Sequence, residues 1–359
     1  MMEEIWWKRI PNAERLVQDV VCSLGKGQHV LLQYQRHLPW PSTFQQVLET
    51  AIQHHDGERR LRVVKAEEIG TGTDSLGIYL LAHFCKPELR AEFRPGVGYA
   101  KFLAQRCETS TLKDCYLIIE GGTAEQVNQW LSFLSEYSRQ LGRERGILCL
   151  MISPVMGTDS WHGVTTLCYE KYLTEYDSYI FFMLVADAQT IPQKLKPYLG
   201  EFVIALAGTD IEFGLACLTY GCDFLADTWR ILESVREMGS YSDGRRMNDI
   251  PEEKDVQSAW WMTQVKLLFP KIEAFRQSFL ERHRKEIEAF LPYPNSEGEI
   301  IEDYHEVELG LLWHMRNSGS LQLVVHSEED EDLQRYRMLR NRLAHVKPLS
   351  LQEINKYAL

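Results

Sequence analysis

Arg340, Asn341 and His345 place a fixed cation, a carboxamide and an imidazole within the six residues Arg340-Asn341-Arg342-Leu343-Ala344-His345. Such a set suits RNA cleavage without a metal, in which the ribose 2′-hydroxyl attacks the adjacent phosphate. His345 is the natural proton acceptor or donor near neutral pH. Arg340 supplies a permanent forked cation for phosphate oxygens. Asn341, four residues before His345 and on the same helical face, is placed to orient the imidazole or the scissile phosphate. Arg340 and His345, five residues apart, diverge on a continuous helix. Their cooperation requires a helix end near His345, which Pro348 favours, or two copies meeting across a dimer. A plain helix tail is the competing reading, with Leu339 and Leu343 in the core, Arg340 and Arg342 on the outer face and His345 capping the last carbonyls.

The elements that must carry this set are helical. From Asp255 onward only helical patterns occur. Trp260, Trp261, Gln264, Leu267 and Leu268 lead to Pro270, and Ile272, Phe275, Phe279, Ile287 and Phe290 continue the stretch to Pro292. Glu306 to Arg316 gives a third helix, and Leu333, Tyr336, Leu339 and Leu343 mark the core stripe of a fourth. The acids Glu328 to Asp332 fall at the start of that helix and the basic residues Arg335, Arg337, Arg340 and Arg342 toward its end, as the helix dipole favours. These helices, with Arg340, Asn341 and His345 at this spacing, resemble the HEPN superfamily over about the last hundred residues. The resemblance implies a small helical bundle that often dimerises, with Arg340 and His345 catalytic and Asn341 assisting in nuclease members; other members are non-catalytic assembly modules.

The first half of the chain has a different rhythm. His29 to Tyr34, Leu61 to Val64, Cys115 to Ile119, Ile147 to Ile152 and Tyr179 to Val185 read as strands, apolar enough to be buried on both faces of a parallel sheet. Between them, Val127, Trp130, Leu131, Leu134 and Leu141 line one helical face. That alternation implies a doubly wound α/β domain. Ser42 and Gln45 predict a capping box, after Pro39 and Pro41 have kept the connection out of helix. Ile211 to Val235 reads as a helical appendage, and Gly239 to Gly244 as a linker or exposed loop.

In order and spacing, Gln28 to Glu49 and Cys115 to Pro154 resemble the core of AAA+ or STAND-type P-loop ATPases. The segment after the first strand, Gln33-Tyr34-Gln35-Arg36-His37-Leu38-Pro39-Trp40-Pro41-Ser42-Thr43, lacks the glycines and the lysine of a phosphate loop. Glu120 ends the later strand where such ATPases hold Mg²⁺, Gly121 stands where a catalytic acid is common, and Ser153 lies at a sensor position. These departures predict a domain that folds without hydrolysing nucleotide. ATP bound through an unusual loop and a sheet of another doubly wound family are the alternatives.

Other candidates carry less chemistry. Asp210 with Glu212 reads as a helix start, Glu302, Asp303, Glu306 and Glu308 as a solvated helix start, and His54-His55 as surface. Trp161-His162-Gly163 has no neighbouring Ser or Cys nucleophile, and Trp260-Trp261 is read as core or an oligomer contact rather than a base-stacking pair.

Composition bounds the function. At 359 residues the chain exceeds a usual single core, and its net charge of −12 argues against a protein that coats nucleic acid. The eight cysteines show no paired spacing and read as reduced core residues. The start has no signal-peptide pattern, and Tyr179 to Ala186 is far shorter than the roughly 20 residues that span a bilayer. The expected protein is soluble and cytoplasmic, makes no membrane contact and uses no cofactor or metal. Residues 1–245 form the P-loop NTPase-like domain with its helical appendage, and 246–359 form an all-α bundle. Family resemblance implies a prokaryotic conflict or antiviral defence system, in which a sensor or scaffold domain is joined to one that cleaves RNA. RNA, protein partners of a defence complex and a second copy of the chain are the implied partners; a non-catalytic adaptor is the alternative.

Overall fold

The structure is a computed structural model that describes residues 2–357 apart from 108–109, 142–145, 155–159, 295–297 and 325. Two compact units are assembled from interleaved stretches. The first holds Met1–Phe181, Thr209–Glu212 and Ser240–Arg245; the second holds Phe182–Gly208, Phe213–Gly239 and Arg246–Leu359. The last crossing of the chain falls between Arg245 and Arg246.

Unit one is built on five strands, β1 (His29–Gln33), β2 (Arg60–Lys65), β3 (Cys115–Glu120), β4 (Leu148–Ser153) and β5 (Val164–Cys168). They pair in parallel in the order β2-β3-β4-β1-β5, with Ile118 opposite Leu150 and Leu32 opposite Ile152. Its helices include α1 (Met2–Arg9), α2 (Pro11–Gly25), α3 (Pro41–His55), α4 (Ser75–Phe84), α5 (Tyr99–Gln105) and α6 (Ala124–Leu141). Successive strand residues face opposite ways, so one parity of the sheet, Leu31, Leu117, Ile119, Cys149 and Met151, joins Leu76 and Leu80 of α4, Leu103 of α5 and Trp130 and Leu134 of α6 in one core. The other parity, Val30, Leu32, Ile118 and Leu150, is buried as well, and α2 packs on β1 and β5. Each such side chain withdrawn from water contributes roughly 1.5–3 kcal/mol, against the entropy of ordering the chain. Helices α4 and α5 approach closely at Gly77, where a Cβ would lie 2.5 Å from that of Tyr99. This is the doubly wound parallel sheet expected from the sequence.

Two local expectations are overturned. Tyr179 to Val185 is not a strand but part of helix α7 (Glu175–Asp187). Its burial repeats every three to four residues, with Phe181, Phe182, Val185 and Ala186 inside and Tyr176, Ile180 and Leu184 exposed; a short apolar run does not distinguish a helix from a buried strand. The fifth strand is instead Val164–Cys168, an edge strand with β1 as its neighbour, and its mixed sequence Val-Thr-Thr-Leu-Cys reflects that half-exposed place. The capping box at Ser42 and Gln45 does not form. Pro41, whose fixed φ and missing N–H suit a first helical position, starts α3 two residues before a Ser42 cap would, Trp40 takes the N-cap place at φ 46°, and Gln45 donates to Glu49 instead.

Chain 211–238 is helical as expected, beginning with α8 (Ile211–Leu218). Unit two is dominated by α9 (Glu253–Arg282), which runs through Pro270, then α10 (Leu309–Asn317), α11 (Glu328–Ala344) and α12 (Leu351–Lys356). Leu268, Ile272, Phe279, Leu312, Met315, Leu333, Leu339 and Leu343 are buried, and α11 packs on both α9 and α10. The acidic run does open α11, where Ser327 accepts from the Asp330 amide. Arg316 donates 2.7 and 2.8 Å bonds to the two oxygens of Asp330. A two-residue ladder, Tyr293–Pro294 with Ile300–Ile301, interrupts the otherwise helical region.

Candidate functional site

In unit two, α11 ends at His345, as cooperation between Arg340 and His345 required. Fully buried Leu339 and Leu343 fix the rotation of the helix. The His345 amide closes on Asn341 and Arg342 carbonyls, Val346 takes the left-handed conformation at φ 55°, and the Val346 and Lys347 amides donate to Leu343 and Arg342 at 3.1 and 2.9 Å. This is a Schellman termination with a valine where glycine is usual. Trp261 donates its indole N–H to the Leu343 carbonyl at 2.8 Å, and Trp260 donates to Leu349 at 3.0 Å. Buried Gln264 both donates to the Leu349 carbonyl and accepts from its amide. The tryptophan pair therefore locks the end of α11.

The candidate residues differ in how far they are committed. Asn341 is half-buried and His345 exposed. Arg340 forms a 2.9 Å ion pair with Glu308, both side chains largely solvated, a kind of contact worth little and easily exchanged. Arg342 is structural, bonded to Glu353 and to the Pro348 carbonyl. The Arg342 bond, followed by those from the Ser350 amide and hydroxyl, lowers the Glu353 pKa to about 2. Among the described residues, no hydrogen bond joins the side chains of Arg340, Asn341 and His345 to one another.

In unit one, the connection from β1 to α3 lies at the carboxyl ends of the strands, where doubly wound sheets take ligands. Its backbone donors are turned inward. The Tyr34 amide donates to the Ser153 carbonyl, Gln35 to the Glu170 carboxylate, and Trp40 to Glu212 at 2.7 Å. Glu212, 5% exposed in the first turn of α8, also meets His37 Nε2 at 2.7 Å and accepts from the Ser242 amide and hydroxyl at 2.7 and 2.6 Å. Burial alone would raise its pKa, but bonds from His37, Ser242 and Trp40 outweigh it and hold the carboxyl below its ordinary value. Arg245 Nη2 lies 2.9 Å from His37 Nδ1. Arginine only donates, so Nδ1 accepts and Nε2 carries the proton given to Glu212. Asp243 is likewise held low, its burial outweighed by the Arg245 amide and guanidinium.

Beside this network a cavity of about 160 Å³ is lined by Tyr34, His37, Glu120, Gly121 and Asp243, among others. Glu120 sits at the end of β3 as expected. Its pKa is raised by burial against the pull of Lys65, and its carboxylate makes no hydrogen bond among the described residues. Ser153, at the end of β4, is buried. The sequence missed the parts played by Glu212, Ser242, Asp243 and Arg245. Glu212 was legible as a helix-start acid, but the loop read as a linker gave no sign that it would return to His37.

Among the described residues no group of three or more His, Cys, Asp or Glu is arranged to hold a metal. The eight cysteines are free, and no described helix is long and apolar enough to cross a membrane.

No protein-family model matches the chain, and no curated protein matches it. Solved structures similar to it include AMPPCP-bound DnaA from Aquifex aeolicus, 11% identical with a TM-score of 0.32, covering 72% of this chain and 78% of that one. Cdc6p from Pyrobaculum aerophilum is 12% identical with a TM-score of 0.36, covering 94% and 96%. A STAND protein with a tetratricopeptide repeat sensor from Pyrococcus horikoshii is 10% identical with a TM-score of 0.33, covering 92% and 54%. The fold class stands on the strand order and parallel pairing of unit one.

Proposed function

We propose that the chain is a component of a prokaryotic conflict or antiviral defence system, in which a P-loop NTPase-like domain that does not hydrolyse nucleotide serves as sensor or scaffold for a HEPN-like helical domain that cleaves RNA. The observation that carries the reading is the end of α11, where Asn341 and His345 share one face and the helix stops at His345. His345 would take the proton of the ribose 2′-hydroxyl as that oxygen attacks the adjacent phosphorus, the P–O5′ bond would break with the departing oxygen taking a proton from water, His345 would return its proton to solvent, and the products would be a 2′,3′-cyclic phosphate and a 5′-hydroxyl. Arg340, released from its solvated pair with Glu308, would steady the crowded, more negative phosphorane. Asn341 would orient the imidazole or the phosphate.

The loss of nucleotide hydrolysis is supported by the β1–α3 connection. Its Gln35 and Trp40 amides serve internal carboxylates, and the Glu212 carboxylate accepts from the N-cap amide of α3, near where a phosphate loop would present donors to phosphate. The neighbouring 160 Å³ cavity is also below the roughly 300 Å³ at which ligand pockets begin. In this reading residues 1–245 and 246–359 act as separate functional modules, and protein partners or a second copy complete the assembly. A non-catalytic adaptor is the second reading, favoured by the ion pair that engages Arg340.

Purified protein incubated with mixed RNA in EDTA, beside His345→Ala, decides between them. Cleavage leaving 2′,3′-cyclic phosphate ends, abolished in the variant, supports the nuclease; equal inertness of both, with native partners present, establishes the adaptor. A calorimetric ATP titration is expected to show no binding, and micromolar affinity would overturn the argument that the phosphate loop is lost.

A further inference from the structure

We infer that Arg337 is the residue that holds the RNA strand against α11, by binding the phosphate next to the scissile one; this rests on the ribonuclease reading of Asn341 and His345. The arginines of α11 are not equivalent. Arg335 pairs with Asp332, Arg340 with Glu308 and Arg342 with Glu353, whereas Arg337 forms no ion pair and no hydrogen bond among the described residues. Its guanidinium carbon stands 5.4 Å from the centre of the Trp313 ring, and its buried Nε has no hydrogen-bond partner. Arg316, also beside Trp313 at 5.1 Å, is not available, because both of its bonds to Asp330 are made. Trp313 thus steadies one guanidinium whose outer nitrogens remain unbonded, and a phosphate accepts such a fork bidentately.

Helix geometry aligns this cation with the candidate site. Steps of four residues turn the helix by about 40°, so Arg337, Asn341 and His345 form one stripe about 80° wide, while Arg340 lies about 140° from His345. Along the axis Arg337 is about 12 Å from His345, too far to share its phosphate and suited to a neighbouring one on the same strand. The ligand class is single-stranded RNA at least three nucleotides long, laid along the stripe with its scissile phosphate at His345.

Fluorescence anisotropy with a labelled twelve-nucleotide single-stranded RNA tests this, using full-length His345→Ala protein as the uncleaving parent over a series of KCl concentrations. Adding Arg337→Ala is expected to weaken binding about tenfold and to reduce the salt slope by about 0.7, the value of one lost phosphate contact on a single strand. Arg337→Lys should restore the slope. In otherwise unchanged protein, Arg337→Ala should raise KM for cleavage and leave kcat nearly intact, which a merely structural role would not produce. If Arg337→Ala fails to fold, Arg337→Gln, which keeps a planar group over Trp313, is judged by the same slope. An unchanged slope and affinity in a variant whose parent binds RNA overturns the role of Arg337 and leaves the ribonuclease reading standing. A parent that binds no RNA overturns both.

Discussion

The two units treat polar groups at their candidate sites in opposite ways. At the strand ends of unit one, Glu212 accepts four hydrogen bonds, His37 is engaged through both ring nitrogens, and loop amides serve internal carboxylates. At the end of α11 in unit two, the backbone is equally well satisfied, by Trp260, Trp261 and Gln264, but His345 is exposed and Arg337 has no ion-pair partner among the described residues. A scaffold needs its polar groups matched internally, because an unpaired buried group costs about 1–3 kcal/mol. A site that must meet an outside ligand leaves some unmatched. The contrast is the one the proposed function calls for, with structural work in unit one and contact with RNA in unit two.

The sharpest way to break this contrast is Glu212→Ala. If the network is structural, removing the carboxylate strands His37, the Trp40 amide and Ser242 at once, and urea unfolding should show a loss on the order of 4 kcal/mol in the transition of unit one. A variant as stable as the parent would mean that the network is held for a ligand rather than for the fold.

His29 sharpens the same point through pH. It is 1% exposed, its Nδ1 accepts the Cys149 amide at 3.0 Å, and burial lowers its pKa to about 4. Below pH 6.5 the unfolded chain takes up a proton that the folded chain refuses until about pH 4. The unfolded state therefore binds more protons across that window, and stability is complete above pH 6.5 and falls as the pH drops toward 4. The loss should reach roughly 3 kcal/mol by pH 4. Denaturation midpoints measured from pH 7 to 4 should trace this slope, and His29→Gln should flatten it.

Much of this was legible in sequence for a physical reason. Strands β1, β3 and β4 are central and apolar on both faces, so pattern alone marks them; β5 is an edge strand and left no such mark. The helix at 175–187 was misread because Tyr179 to Ala186 is apolar all round and short runs lose their periodicity. At the end of α11, short spacing sufficed: Asn341, His345 and the helix stop are local, and Pro348 announced the last of these. The Glu212 network was illegible because it joins residues 37, 212 and 242, whose meeting only the fold determines. Arg337 was named among the basic residues, but its distinction lies in what it fails to pair with, and that is a property of neighbours.

The smallest effect probes whether the end of α11 is held by its backbone, as a pre-arranged site requires, or by its surface. Val346 sits at φ 55° and is 62% exposed. A β-branched residue is strained there, and glycine relieves the strain while enlarging the freedom of the unfolded chain. With so little of the valine buried, relief should win. Val346→Gly is expected to raise stability by about 0.5 kcal/mol, read as a higher melting temperature, with RNA cleavage unchanged. A lower melting temperature would mean that the valine side chain holds the turn. The Leu343 and Leu349 anchors would then not suffice to fix His345, and the division between a matched backbone and available side chains would fail where the proposed chemistry depends on it.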